Sequence, residues 1–531
     1  MNIVNIQDFS YQHLNRELLF ENISLQINEA QKIALVGKNG IGKTTLLQAI
    51  NNYSEYPSIR VDIQPYSVPQ HIEYYDEKTI AEILEIDEKI RALTAITSGD
   101  SSQENFDILA DDWDIESKVE AALAYWNLKD IALDTQLRSL SGGEKVKIFL
   151  AGIILHKPKF VILDEPTNHL DYQSREKFYR WIEETTSTLL IVSHDRYLLN
   201  LLTDIYELFS NKVNFYSGNY DDYIDQKELE YEALERQINS QKQELRKAKK
   251  VQQEVAEKRQ KQDSRGAQKT AKKSLPKIIA NARKGFAENT TADLANRHGK
   301  KIEDINQTIK ELEIQENKIK GLKIKIENST LHQGKILVEA NNINYSYDEE
   351  SLWKEDLNFT ILSGDRVLIK GNNGSGKTTL IKIITNRKQI CKGTLKLADF
   401  DYLYLDQNYS LIDLNKTVYE QAQSYNIDMP EHEVKMHLAR SQFSKETWDK
   451  PCNVLSGGEK MKLSLCSLII SNKIPDILIL DEPTNNIDLD SIAVLSSTIQ
   501  EYAGTLILVS HDRYFIDEQN INKEIDLSHY Y

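Results

Sequence analysis

Gly37–Thr45 reads GKNGIGKTT and Gly371–Thr379 reads GNNGSGKTT. Each is a glycine, four residues, then Gly-Lys-Thr, and each closes a short apolar run, KIALVG or RVLIKG. The apolar stretches TTLLQAI and TTLIKII follow. A buried strand, a glycine-rich turn and a helix together let backbone N–H groups face inward around phosphate oxygens, with the helix dipole assisting. Gly37, Asn39, Gly40 and Gly42, and in the second copy Gly371, Asn373, Gly374 and Gly376, are therefore expected to line phosphate sites. Lys43 and Lys377 bring charge to the β- and γ-phosphates, Thr44 and Thr378 bring a hydroxyl to Mg²⁺, and Thr45 and Thr379 continue the loop. The expected fold is α/β, with the chemistry at the C-terminal ends of buried parallel strands.

Working outward, FVILDEPTNHLD (Phe160–Asp171) returns as ILILDEPTNNID (Ile477–Asp488), and LLIVSHDRY (Leu189–Tyr197) as LILVSHDRY (Leu506–Tyr514). LSGGE at Leu140–Glu144 recurs 315 residues later at Leu455–Glu459. The order is the same in both halves, and the spacing from Glu165 to His194 and from Glu482 to His511 is 29. A period this long belongs to a duplicated domain, not a solenoid. Asp164 and Asp481 end buried strands, where P-loop enzymes hold Mg²⁺ through water. Glu165 and Glu482 come next; along an extended strand they point the other way and face an attacking water. His194 and His511 end a third strand and are expected to contact the γ-phosphate. Gln70 in YSVPQH and Gln407 in LYLDQN are expected to contact Mg²⁺ and water.

With 531 residues the chain needs two or three domains, and 40% hydrophobic residues suffice to fold them. Its apolar runs fall far short of the roughly 18 residues of a membrane helix. MNIVNIQDFS lacks the basic start and apolar stretch of a secretory signal. Cys391, Cys452 and Cys466 are too few and scattered for a disulfide framework or zinc cluster. A cytoplasmic protein with reduced thiols is expected.

The net charge of −16 hides an asymmetry: Gln241–Lys300 holds 17 Lys and Arg against 6 Asp and Glu. From about Asp222 to Ile326 no buried-strand pattern occurs. Tyr231, Leu234, Ile238, Leu245 and Val255 fall at heptad-like spacings, as do Ile302, Ile305, Ile309, Leu312 and Ile319. Two antiparallel helices are expected, joined by a basic tip with Gly266, Pro276 and Gly285 as breakers. The expected domains are residues 1–222, a linker at 223–330, and 331–531. Gln70 to Ser141 spans 71 positions and Gln407 to Ser456 spans 49, so the first half carries about 22 extra residues, an arm-like insertion near 75–115.

Together the motifs resemble the ATP-binding cassette superfamily, in which LSGG is the signature. The resemblance implies two ABC ATPase domains packed head to tail, each signature closing over the nucleotide held by the other cassette. Site one would join Lys43, Asp164, Glu165 and His194 to Ser456, Gly457 and Gly458; site two would join Lys377, Asp481, Glu482 and His511 to Ser141, Gly142 and Gly143. Both would hydrolyse ATP with Mg²⁺, and Tyr11 and Tyr347 would stack on adenine. The tandem intact cassettes, DEPTNHLD and the long charged linker resemble the ABC-F family of ribosome-binding ATPases. That resemblance implies a monomer bound near the ribosomal tRNA exit site. Its linker would point toward the peptidyl-transferase centre and touch rRNA and peptidyl-tRNA. Lys269, Lys272, Lys273, Lys277, Arg283 and Lys284 at the tip are the cations for that contact. Antibiotic resistance and a general translation role stay open. So does the alternative of a tandem ATPase serving membrane transport subunits, in which a basic hairpin of about 100 residues would have no task.

Overall fold

The computed structural model describes the chain except residues 13–17, 101, 129–130, 210–211, 271–298, 313–331, 333, 348–349, 373, 408, 472–474, 486 and 529–531; for 259–270 it describes the backbone. The chain divides into one compact unit of Met1–Tyr223 with Leu322–Tyr531, and another of Ile224–Gly321.

The first unit is built twice from the same plan. In the first half a six-stranded sheet runs Tyr66–Val68, Phe160–Asp164, Thr188–Val192, Lys32–Val36, Asp204–Phe209, Lys212–Ser217, parallel until the antiparallel last strand. In the second half five parallel strands run Tyr402–Leu405, Ile477–Asp481, Thr505–Val509, Arg366–Lys370, Lys523–Asp526. A parallel sheet covered on both faces needs apolar residues at every position, which explains the unbroken runs. Alternation then sends Val161, Leu163, Leu189 and Ile191 into one core and Phe160, Ile162, Leu190 and Val192 into the other. The second half divides the same way, with Leu478, Leu480, Leu506 and Leu508 on one face and Ile477, Ile479, Ile507 and Val509 on the other. Each half adds a three-stranded antiparallel sheet, centred on Asn2–Gln12 or Ile336–Asn344.

The halves diverge after matching helices, Ile80–Ile83 and Val418–Gln423, each opened by a threonine capping box. The first half then forms Asp87–Thr97, Gln103–Leu109 and Ile115–Tyr125; the second forms Glu431–Arg440 and Lys445–Trp448. The inserted helices are seated in their own cassette: Leu93 and Leu109 are buried in the same core as Val119 and Val146. Asp112 fastens the far end by accepting from Lys89 Nζ at 2.8 Å and Lys118 Nζ at 2.6 Å.

In the other unit the helix Tyr220–Thr270 continues through Gly266, so the break expected there does not occur. One glycine in a helix costs about 1 kcal/mol, too little to end a helix of this length. Its least exposed positions include Tyr231, Leu234, Ile238, Leu245 and Val255, the heptad stripe. In the helical segment 299–312, Ile305, Ile309 and Leu312 are buried, and Lys301 Nζ lies 3.1 Å from Glu244. Pro276, Gly285, Ile319 and the tip cations Lys272, Lys273, Lys277, Arg283 and Lys284 lie outside the described residues, as does the side chain of Lys269.

Candidate active sites

Two cavities lie where the halves meet. The first, about 560 Å³, is lined by Asn39, Gly40, Gly42, Lys43, Thr44, Thr45, Gln70, Asp164, Glu165 and His194, with Ser456 from the other half. The second, about 510 Å³, is lined by Gly374, Gly376, Lys377, Thr378, Thr379, Gln407, Asp481, Glu482, His511 and Tyr347, with Ser141, Gly142 and Gly143 opposite. Each P-loop therefore faces the signature of the other half.

Local chemistry explains the shape of each wall. Gly42 and Gly376 hold left-handed conformations, φ +106° and +92°, directly before the helices that begin at Lys43 and Lys377. Lys43 Nζ donates to the carbonyls of Gly37 at 2.6 Å and Lys38 at 3.1 Å; Lys377 repeats this with Gly371 and Asn372 at 2.7 and 3.1 Å. The acid following each signature glycine pair has a local task. Ser141 and Ser456 cap the helices Gly142–His156 and Gly457–Ile470, and Glu144 and Glu459 return the bond to the serine N–H at 2.8 and 2.9 Å.

Glu165 and Glu482 do not continue their strands. Both adopt φ +51°, while their N–H groups donate to Val192 and Val509 at 2.8 Å. A left-handed turn, not strand alternation, aims these carboxylates, and the same strained backbone appears in both copies. His194 Nε2 lies 3.3 Å from Glu165 Oε1, and His511 Nε2 the same distance from Glu482 Oε1. Their alignment is too poor for hydrogen bonds. Burial pushes the Glu482 carboxyl up to about 7 against the pull of Arg175 and Lys377, and pushes His511 down to about 3. Burial moves Glu165 and His194 in the same directions. Neutral imidazoles beside carboxyls that hold protons readily are what such burial favours.

The oxygen donors fit Mg²⁺. Thr44 Oγ1 donates to Gln70 Oε1 at 3.4 Å, and Thr378 Oγ1 donates to Asp481 Oδ2 at 3.3 Å. Asp164 Oδ1, Glu165 Oε1 and both carboxylate oxygens of Glu482 are buried without a hydrogen-bond partner. Buried oxygens of this kind are costly alone and are satisfied by a hard cation, a water or a phosphate-bound group.

Not every expected residue reaches a cavity. Tyr347 lines site two, where its hydroxyl lies 3.1 Å from Thr379 Oγ1 and accepts from Lys388 Nζ at 2.9 Å. Tyr11 is absent from the site-one lining and packs 5.9 Å from Phe20. Gly457 and Gly458 enter the signature helix behind Ser456 and do not line site one; Gly37 and Gly371 do not line their cavities. Asn373 is outside the described residues.

Sequence reading passed over Arg175, which lines site two from the first half, and the arginines of both SHDRY segments. Arg196 donates to both oxygens of Glu518, at 2.7 and 3.2 Å. Arg513 donates to Tyr172 and Glu176 and lies over the rings of Tyr172 and Tyr197, 5.0 Å from each centroid. Tyr514 accepts from Asn200 and donates to Asp221 at 3.4 Å. The repetition of Asp-Arg-Tyr after each histidine was the available signal; a partner in the opposite half has none in sequence.

The ABC transporter family profile matches residues 20–168 and 354–485. ABC transporter F family member 5 of Arabidopsis thaliana is 30% identical over 96% of this chain and 72% of its own length. Ribosome protection protein VmlR of Bacillus subtilis is 29% identical over 98% of this chain and 86% of its own. ATP-binding protein Uup of Escherichia coli is 29% identical over 94% and 76%. Among solved structures, an archaeal ribosome recycling factor complexed with a ribosomal stalk protein aligns over 98% of this chain and 87% of its own, with a TM-score of 0.57. RNase-L Inhibitor aligns over 96% and 86% with a TM-score of 0.56. Both structures are 18% identical to this chain, a likeness of fold.

Proposed function

Because the chain belongs to the F branch of the ABC transporter family, we propose that it is an ATP hydrolase that acts on ribosomes. The observation that carries the reading is the pair of cavities, each completed by the signature of the opposite cassette. ATP held by Lys43 or Lys377 would draw Ser456 or Ser141 onto its γ-phosphate, closing the cassettes, and hydrolysis would release them. Mg²⁺, held by Thr44, Gln70 and Asp164 or by Thr378, Gln407 and Asp481, would offset phosphate charge. Glu165 and Glu482 would accept the proton of the attacking water, and His194 and His511 would hold the terminal phosphate.

Ribosome binding is supported by the likeness to a ribosome protection protein along nearly the whole chain, and by the basic run in the linker. We place the cassettes near the tRNA exit site in the cytoplasm, with the linker toward the peptidyl-transferase centre. There Lys269, Lys272, Lys273, Lys277, Arg283 and Lys284 would meet rRNA and peptidyl-tRNA. Among the described residues no helix is long and apolar enough to cross a membrane.

The test is the full chain carrying Glu165→Gln and Glu482→Gln, sedimented through sucrose with ribosomes. ATP should retain the double variant on ribosomes, while hydrolysis falls about a hundredfold or more. Hydrolysis at the unsubstituted rate would remove the glutamates from the mechanism. Co-purification with a membrane protein, without ribosomes, would favour a transport ATPase. Expression in a susceptible host separates drug protection, read as a raised inhibitory concentration, from a general translation role.

A further inference from the structure

The two ATP sites are assembled from the same motifs but not from the same residues. Arg175 stands four residues after Asp171, in the helix Tyr172–Glu184 of the first cassette. The matching position after Asp488 is Ile492, an apolar residue in the second cassette's core. Arg175 is 7% exposed and lines site two together with Lys377, Glu482 and His511, all from the other cassette. Its Nε donates to the carbonyl of Leu170 at 3.2 Å, and Nη1 lies 3.7 Å from Asp195 Oδ2. The guanidinium is thus fixed from its own cassette while its charge acts on Glu482 and Asp512 across the interface. A second difference lies behind the same site. Tyr404 Oη donates to Asp481 at 2.9 Å, and the residue in the same strand register of the first cassette is Ser67.

We propose that Arg175 acts in trans, through its charge, on hydrolysis at site two, so that the two ATP sites are chemically unequal. The proposal rests on the ATPase reading above and adds to it a cation that the repeated motifs do not contain. A guanidinium stays charged when buried. Held by its own cassette and lining the same cavity as Glu482, it adds positive charge where the transition state concentrates negative charge. Site one, with Ile492 at the matching position, lacks this cation. Asp195 precedes Arg196 in the first SHDRY segment, so the guanidinium is also tied to the strand end that carries His194. Site two therefore reads the state of the first cassette through the residue that serves its own hydrolysis.

The test uses the full chain in two backgrounds, Glu165→Gln, where site two carries hydrolysis, and Glu482→Gln, where site one does. Arg175→Leu reproduces the apolar character of Ile492, Arg175→Lys keeps a cation, and Arg175→Gln keeps a donor without charge. In the Glu165→Gln background, Arg175→Leu and Arg175→Gln should lower kcat about tenfold to a hundredfold, with KM for ATP changing far less. Arg175→Lys should recover a substantial part. In the Glu482→Gln background the same substitutions should cost much less. Equal losses in both backgrounds, or a Lys variant as poor as Leu, would make Arg175 a structural ion-pair residue and overturn the proposal. If Arg175→Leu does not fold, Arg175→Gln with Arg175→Lys decides by the same comparison. If neither parent background hydrolyses ATP, the glutamate assignment fails instead. Trapping of a fluorescent ATP analogue at site two, compared between Arg175→Lys and Arg175→Gln, then decides the arginine, equal trapping counting against it.

Discussion

Gly37 sits at φ +151° with its backbone against the strand Asp204–Phe209; an added Cβ would stand 2.6 Å from the carbonyl oxygen of Leu208. Neither the angle nor the contact can yield cheaply, so Gly37→Ala should destabilise the first cassette by about 1–3 kcal/mol and weaken ATP binding at site one, measured by denaturant melts and nucleotide titration. At Glu165 and Glu482 the strain runs the other way: a non-glycine residue holds φ +51°. Replacing Glu165 by Gly should therefore stabilise the fold by about 1 kcal/mol while ending hydrolysis at site one. Chemical denaturation beside single-site ATPase assays checks both halves, and a destabilised Glu165→Gly protein would show that the carboxylate, not the backbone, dominates there. A functional residue kept at a cost in stability is the expected pattern at an active site.

At the scale of elements, the inserted helices and the SHDRY exchange decide how much of each cassette is rigid. Leu109 is 1% exposed within the insertion. Leu109→Ala should lower the stability of the first cassette by about 2–4 kcal/mol, whereas an independent arm would leave the melt of the cassette unchanged. Arg196 couples the cassettes through Glu518 and lies 3.9 Å from the buried Asp512. Arg196→Ala leaves that acid without its nearest cation and should cost about 3 kcal/mol, read by denaturation of the full chain. The double variant with Glu518→Ala should lose less than the two single losses combined, because the partners share one interaction. Tyr514 and Asn200 extend the exchange to Asp221, in the first turn of the helix Tyr220–Thr270. The first turn of this helix, still within the cassette unit, is therefore hydrogen-bonded to the helices that follow His194 and His511.

Across the whole molecule, sequence distance loses its meaning at the sites. Ser456 lies 413 residues after Lys43 yet shares its cavity, so Ser456→Phe should impair nucleotide trapping at the site of Lys43 more than at that of Lys377. Site-resolved trapping with the reverse preference would reject the trans assembly. Deleting residues 269–284 should spare basal ATP hydrolysis, weaken ribosome binding and flatten its dependence on salt, because six cations leave with no acid among them. Full ribosome binding by the deleted chain would leave the basic run without a task. By itself the sequence determined the duplication, the parallel strands, both P-loops and the residues following Asp164 and Asp481. Those properties are local: a buried strand must be apolar throughout, and a phosphate loop must be glycine-rich. Tertiary structure alone decided that Tyr11 packs on Phe20 and does not line its cavity, that Glu165 and Glu482 are aimed by a left-handed turn, and that Arg175 lines the cavity of the opposite cassette. Such facts depend on which surfaces meet after folding, and no period or spacing within one half encodes the partner that the other half supplies.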